Sequence, residues 1–222
     1  MRPHPSDTFE PHYPNRAERL ADAVVHGFGL IGAMIGGGVL LVWSLQAGDV
    51  GRALATGLYG FCLFAMLLCS TLYNLSHPCA VRPLLRRLDE AAIFLLIAGS
   101  YTPFTVLRLE GVWSIGMTTL VWGIALAGVA GRLFISHLSE RFWCGVYIGL
   151  GWLSVVMLKP LIDGVPVVAL GLLALGGVLY TAGVPVFLYR KLPYRRAIWH
   201  TFVVTAAGIH YAAVLHAVVF VA

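Results

Sequence analysis

The sequence predicts an all-α protein, a bundle of seven transmembrane helices with its N-terminus in the cytoplasm and its C-terminus outside. Three observations predict this fold class. Of the 222 residues, 59% are hydrophobic and only 11% are charged, which is more apolar surface than one soluble domain of this size can bury. The apolar residues form seven runs that are long enough to cross a bilayer. Basic residues are concentrated in alternate connections between these runs.

The seven runs are predicted to be helices. A helix needs about 20 mostly apolar residues to cross the hydrocarbon core, and backbone groups in lipid must form their hydrogen bonds within the segment. Short breaks with turn residues or charges separate the runs, among them QAGDVGR, KPLIDGVP and YRKLPYRR. The segments of about ten alternating residues that a membrane β-barrel needs are absent. The predicted spans are 20–45, 52–76, 88–107, 112–131, 141–158, 165–189 and 196–220.

The N-terminal residues differ in composition from the rest of the chain. They are polar, contain prolines and lack the apolar core of a signal peptide. We therefore divide the chain into a cytoplasmic polar tail over 1–19 and a seven-helix transmembrane domain over 20–222. The four cysteines include no CxxC pair and no disulfide framework. No nucleic-acid-binding motif accompanies the net charge of +5, so we expect no nucleic-acid partner.

The distribution of basic residues predicts the orientation. Twelve of the 15 lysines and arginines fall in the tail or in the second, fourth and sixth loops, which share one side of a seven-span bundle. Lysine and arginine are enriched in cytoplasmic loops, so the N-terminus is expected in the cytoplasm. The expected location is the cell (inner) membrane, with multiple passes. The twelve residues are Arg2, Arg16, Arg19, Arg82, Arg86, Arg87, Arg132, Arg141, Arg190, Lys191, Arg195 and Arg196.

Small residues in the first and sixth spans predict close helix packing. Gly32 and Gly36 are four residues apart, and three glycines occupy 36–38. Small residues at this spacing let the backbones of membrane helices approach each other. Gly176 and Gly177 are expected to do the same in the sixth span.

Polar residues near the span ends indicate a candidate site. Asn74 ends the second span, Asp89 begins the third and His200 begins the seventh, so all three are expected near the cytoplasmic face at similar depth. Ser70 lies one turn deeper than Asn74 on the same helix face. Each residue alone has a structural explanation, such as helix capping or a partner for the helix dipole. Their shared depth favours a common site, because ionisable groups in membranes usually line an interior.

Four segments resemble the hemolysin III family of bacterial membrane proteins: ERLADAVVHGFG, STLYN, LDEAAIFLLIAGSYTPF and RRAIWHTFVVTAAGIHY. That family is related to the adiponectin and progestin receptors, in a superfamily that includes alkaline ceramidases. The resemblance covers nearly the whole chain from about residue 14. It implies a seven-helix bundle with a zinc site on the cytoplasmic side.

The resemblance also implies roles for particular residues. The family pattern is Ser-x-x-x-His at the end of span two, Asp at the start of span three and His-x-x-x-His at the start of span seven. Three imidazoles hold zinc and leave one position for water, which the metal activates to attack an amide carbonyl, with the Asp as base. Transferred to this chain, the pattern implies Ser70 and Asp89 as catalytic residues and His200 and Asp89 as metal-binding residues.

Two positions depart from this pattern. Asn74 stands where the family has the histidine of span two, and Arg196 stands at the first histidine of the span-seven pair. An amide oxygen is a poorer zinc ligand than imidazole, and a guanidinium stays charged and offers no lone pair. We therefore expect a degenerate site in which zinc is weakly held or absent. Arg196 then takes its place as the positive partner of Asp89.

Two other histidines are candidates for substitute ligands. His26 lies in the first span at a plausible depth, one turn from Asp22, and the family also has a histidine in that segment. His77 follows Asn74 by three residues, but Pro78 indicates that the helix is ending there. We accordingly assign Asn74, Arg196 and His26 to the candidate site as polar residues.

Two functions remain open. The first is a non-catalytic or weakly active membrane protein that binds membrane lipids or helps to maintain the membrane, which the two lost ligands favour. The second is a zinc-dependent lipid amide hydrolase of the ceramidase kind, which Ser70, Asp89 and His200 favour. A cytolytic pore has little support, because the chain lacks a signal peptide. A retinal protein is excluded because the only lysines, Lys159 and Lys191, lie in loops.

Overall fold

The computed structural model describes residues 13–135 and 137–220. Within these ranges, seven helical spans are long and apolar enough to cross a membrane, which confirms the predicted all-α, seven-span fold. The orientation of the termini stays a prediction, and residues 1–12 of the predicted tail lie outside the described ranges. The helices are α1 Arg16–Gln46, α2 Val50–Leu75, α3 Arg82–Leu107, α4 Gly111–Phe134, α5 Glu140–Gly151, α6 Leu158–Gly164, α7 Val167–Leu188 and α8 Arg195–Leu215.

Two helices, α1 and α3, begin about four to six residues before the predicted spans because of local signals at their N-termini. α1 begins at Arg16, within the predicted tail, because the side chain of Asn15 accepts a hydrogen bond from the backbone N–H of Glu18 at 2.9 Å. Such a cap satisfies one of the free N–H groups at a helix start. α3 begins at Arg82, and Pro83 occupies its first turn, where the missing proline N–H removes no intrahelical bond.

The fifth span is not one continuous α-helix. A 3₁₀ segment, Trp152–Met157, joins α5 to α6, so the span reaches Gly164 rather than 158. Backbone groups released at such a break need partners inside the membrane. The hydroxyl of Tyr101, on α3, lies 2.8 Å from the carbonyl oxygen of Gly151 and accepts from the backbone N–H of Ser154 at 2.8 Å. One tyrosine thus stabilises the break.

Glycines bring α1 close to two other helices. A Cβ placed on Gly60 of α2 would lie 3.3 Å from the Cα of Gly37, so these backbones meet without an intervening side chain. A Cβ placed on Gly36 would lie 3.0 Å from the ring of Tyr211 on α8. Gly32 faces open space. The predicted close packing of the first span therefore comes from Gly36 and Gly37.

Helix order determines which ends of the helices lie together. α1 packs against α2 and α8, α3 lies between α2 and α4, and α7 packs against α8. Because successive spans run in opposite directions, the N-termini of α1, α3, α5 and α8 lie at the same end of the bundle as the C-termini of α2, α4 and α7. We call this the polar end. It contains the polar residues that the sequence singled out.

Candidate functional site

A cavity of about 540 Å³ lies inside the bundle and reaches the polar end. Helices α2, α3, α4, α5, α7 and α8 contribute to its wall. The five residues that stand at the positions of the family pattern all line it. The structure therefore brings these five together, whereas their catalytic and metal-binding roles stay predictions. They are Ser70, Asn74, Asp89, Arg196 and His200.

The two residues that depart from the family pattern contact each other. Arg196 donates a hydrogen bond from Nη1 to the side-chain oxygen of Asn74 at 2.7 Å. The amide nitrogen of Asn74 donates to the backbone oxygen of Ser70 at 3.0 Å and lies 3.3 Å from the Ser70 hydroxyl. Asn74 is only 2% exposed. Both ends of its amide are therefore engaged within the protein.

These residues do not fit a zinc ion held as the family pattern implies. The oxygen of Asn74 already accepts from a guanidinium, and Arg196 supplies a fixed positive charge where the pattern needs a lone pair. A cation at that place would be repelled by Arg196 at short range. We therefore derive no catalytic step through a metal at these positions. Arg196 and Asp89 both line the cavity. Their predicted pairing stays a prediction.

A second polar group lies where α1 meets α8. Asp22 and His26 of α1 and His200 of α8 are 0%, 1% and 6% exposed. Asp22 Oδ1 lies 2.6 Å from His200 Nδ1, and Asp22 Oδ2 lies 3.5 Å from His26 Nε2. One potential ligand atom from each residue lies within 4.8 Å of the others. This buried Asp–His–His group is compatible with holding a metal ion.

Two further residues fix the orientation of this group. Tyr13 donates a hydrogen bond from its hydroxyl to Asp22 Oδ2 at 2.5 Å. Burial, together with the negative charge of Asp22, raises the pKa of Tyr13 above its ordinary value, so the phenol keeps its proton at neutral pH. On the other side, the Thr71 hydroxyl lies 3.2 Å from His26 Nδ1. Asp22 and His26 are therefore each held by a side chain outside the group.

The sequence placed His26 in the candidate site but did not predict the contact between Asp22 and His200. The available signal was depth, because the start of the first span and the start of the seventh lie at the same end of the bundle. Tyr13 was missed because it falls within the predicted tail. His77, the other candidate for a substitute ligand, is exposed and follows the end of α2 at Leu75. It lies outside this group.

Arginines dominate the charge around the polar end of the cavity. Among its described lining residues, six arginines face three carboxylates. Some are paired: Arg86 contacts Glu90 and Glu140 at 3.1 Å each, and Arg190 contacts Glu140 at 3.0 Å. The excess positive charge makes this end of the cavity attractive to an anion. The six are Arg82, Arg86, Arg132, Arg190, Arg195 and Arg196.

The fold and the site together define a multi-pass membrane protein with a buried polar centre at one end of a seven-helix bundle. The profile of the Haemolysin-III related family matches residues 16–211. The chain belongs to this family, which confirms the resemblance inferred from its sequence segments.

Individual relatives cover nearly the same length. The chain is 34% identical over 198 residues to "Hemolysin-3" of Bacillus cereus, covering 89% of this chain and 90% of that protein. It is 30% identical over 199 residues to "Hemolysin-3 homolog" of Bacillus subtilis (strain 168), covering 89% and 93%. It is also 30% identical over 213 residues to the human "Monocyte to macrophage differentiation factor", covering 90% and 84%.

Proposed function

We propose that this protein binds a membrane lipid in the cavity at its polar end and is non-catalytic or at most weakly active, with a role in membrane homeostasis. The observation that carries this proposal is the 2.7 Å hydrogen bond from Arg196 to Asn74. It occupies the two positions that a hydrolytic metal would need as ligands. A fixed guanidinium in that place serves to bind an anionic or polar head group rather than to activate water.

The shape and lining of the cavity support an amphiphilic ligand. Its volume of about 540 Å³ lies in the range of small-molecule sites, roughly 300–1,000 Å³. Arginines line the polar end, and apolar side chains such as Met66, Leu96 and Val203 line other parts of the wall. Arg196 and His210 both line it and lie on one helix, about 20 Å apart at 1.5 Å per residue. A head group near Arg196 thus leaves room for an acyl chain.

The expected orientation of the protein in the membrane indicates which leaflet would supply the lipid. The concentration of lysine and arginine around the polar end favours the cytoplasmic side of the cell (inner) membrane. Anionic lipids give that leaflet a negative surface potential. A cavity lined by arginines at this depth is suited to a lipid of that leaflet.

The test is a comparison of lipids that remain bound after purification in mild detergent. Wild type, Arg196→Gln and Arg141→Gln are analysed by native mass spectrometry and by extraction. Arg141 is exposed and does not line the cavity, so it is the matched control. We expect several-fold less bound lipid in Arg196→Gln and no change in Arg141→Gln. Equal lipid in all three contradicts the proposal.

A lipid amide hydrolase is the second candidate, because Ser70, Asp89 and His200 line the same cavity. It is tested by incubating purified protein with ceramide-type amides of several chain lengths. Turnover by wild type that disappears in Asp89→Ala and in His200→Ala would establish the hydrolase and overturn the non-catalytic proposal. No turnover by folded wild type supports lipid binding without catalysis.

A further inference from the structure

A second group of polar side chains lies deep in the cavity, where α7 packs against α8. The rings of Tyr180 on α7 and His210 on α8 contact each other edge to face, with their centroids 5.5 Å apart. Both residues line the cavity. Gly176, one turn from Tyr180, makes room for this contact, because a Cβ placed there would collide with the His210 ring. The lipid head group proposed near Arg196 uses none of these three residues.

Both side chains have hydrogen-bonding capacity that the protein does not use. His210 Nε2 lies 3.2 Å from the carbonyl oxygen of Leu173, and this nitrogen carries the proton because a carbonyl oxygen only accepts. In the neutral ring, Nδ1 is then a lone pair that can only accept. Neither Nδ1 nor the Tyr180 hydroxyl has a hydrogen-bond partner among the described residues. The pair therefore offers one acceptor and one hydroxyl to a molecule in this part of the cavity.

Tyr59 of α2 is the third member of this group. It lines the same cavity, is only 1% exposed, and its hydroxyl has no hydrogen-bond partner within the part of the chain that the structure describes. The hydrogen bond between Asn74 and Arg196 fixes one common level of α2 and α8. Tyr59 lies 15 residues from Asn74 on α2. His210 lies 14 residues from Arg196 on α8, so both are about 20 Å deeper than that level.

Unpaired polar groups at this depth point to a ligand. A buried hydroxyl or ring nitrogen without a hydrogen bond is costly in a membrane interior. A hydroxyl group on a ligand can accept from a tyrosine and donate to His210 Nδ1 at the same time. A carbonyl group would satisfy only the tyrosine, and a methylene group would satisfy neither. The available donors and acceptor are therefore matched best by a hydroxyl.

We propose that Tyr180, His210 and Tyr59 form a second polar subsite, which recognises a hydroxyl group on the chain of the bound lipid. The subsite serves the ligand of the proposed function, on which this inference rests, and whose head group lies near Arg196. The ligand is then an anionic amphiphile with a hydroxyl about 20 Å along its chain, the distance from Arg196 to His210 along α8. Val203, midway between them on α8, lines the cavity and is suited to the intervening hydrocarbon.

The test compares probes that differ only in a hydroxyl group. Saturated fatty acids of increasing length and their ω-hydroxy counterparts are titrated into delipidated wild-type protein in mild detergent, and their affinities are measured by calorimetry. At the chain length that spans about 20 Å, we expect the hydroxylated probe to bind about fivefold more tightly, as one added hydrogen bond allows. Shorter pairs should show no preference. Equal affinities at every length overturn the subsite but not lipid binding near Arg196, whereas binding of neither probe overturns both.

Variants assign the preference to particular residues. Tyr180→Phe, Tyr59→Phe and His210→Leu are each expected to bind the unsubstituted fatty acid as wild type does and to lose most of the preference for its hydroxylated counterpart. Tyr189→Phe is the matched control and is expected to keep the preference, because Tyr189 is exposed and does not line the cavity. Arg196→Gln is expected to weaken both probes equally, which separates head-group binding from chain recognition. A preference that persists in all three subsite variants overturns the proposal.

Discussion

Arg196 of α8 donates a 2.7 Å hydrogen bond to the side-chain oxygen of Asn74 on α2, a residue 122 positions earlier in the chain. The family pattern has histidines at these two positions, and here they are replaced by a complementary donor and acceptor. The two departures from the pattern are therefore structurally linked. A change at one position alone would leave a polar group of the other without this partner.

This link predicts a coupled loss of stability. Asn74→Ala removes an acceptor from a half-buried guanidinium, and hydrogen bonds to charged groups contribute about 1.5–3 kcal/mol. We expect the free energy of unfolding to fall by about 1–3 kcal/mol. The measurement is chemical unfolding in detergent micelles of Asn74→Ala, Arg196→Ala and the double variant. Strictly additive effects of the single changes would contradict the coupling.

The same link predicts that restoring both histidines creates a metal site in the cavity. Asn74→His with Arg196→His removes the fixed charge and supplies two imidazoles beside His200. The change is made with Asp22→Asn, so that the Asp22 group does not contribute metal. We expect zinc in this triple variant at about one equivalent, because three imidazoles then form a zinc ligand set with one position left for water. Asn74→His with Asp22→Asn alone is the control and is expected to remain metal-free, because Arg196 is retained.

Tyr13 predicts a pH dependence of stability above neutral pH. Its pKa is raised in the folded protein from an ordinary value of 10.0, so the unfolded phenol ionises first as the pH rises. The stabilisation is fully present below pH 10 and is lost above it. Relative to Tyr13→Phe, wild type should lose up to about 1.4 kcal/mol per pH unit above about pH 10. Unfolding measured from about pH 8 to 11 checks this, and parallel curves for the two proteins would contradict it.

Glycine packing predicts a contrast between two alanine substitutions. A Cβ at Gly99 of α3 would lie 2.7 Å from the Cβ of Cys62 on α2, an atom that side-chain rotation cannot move. Gly99→Ala is expected to destabilise the protein by about 1–3 kcal/mol, as overpacking does. At Gly123 of α4, nothing lies within 4 Å of the added carbon. Gly123→Ala should therefore be neutral or slightly stabilising, and thermal unfolding of both variants distinguishes the two sites.

The spans could be predicted because lipid imposes a simple requirement on composition. Long apolar runs must be helical in a bilayer, so all seven were found. Their ends were less predictable where a buried charge extends a helix, as Arg82 does at the start of α3, where it is 2% exposed. The 3₁₀ break after Gly151 was not predicted, because an apolar run gives no sign of a partner such as Tyr101.

The sequence predicted the level of the site residues along the membrane spans, but it did not predict which side chains contact each other. Depth follows from position along each span, which is why Ser70, Asn74 and Asp89 could be expected near one level of the bundle, and all three line the cavity. Pairing depends on how helices rotate about their axes, which single-sequence reasoning does not give. The contact of Asp22 with His200 joins residues 178 positions apart. No local sequence pattern predicts a contact between residues so far apart in the chain.

The length of α1 determines how far from water the Asp22 group lies. Its 31 residues extend about 46 Å, whereas the hydrocarbon layer is about 30 Å thick. An upright, centred helix therefore projects about 8 Å into the head-group region at each end. Asp22, six residues from the helix start, then stands at the boundary between head groups and acyl chains. Asp22 is therefore fully enclosed by side chains at a level of the bilayer that water still reaches.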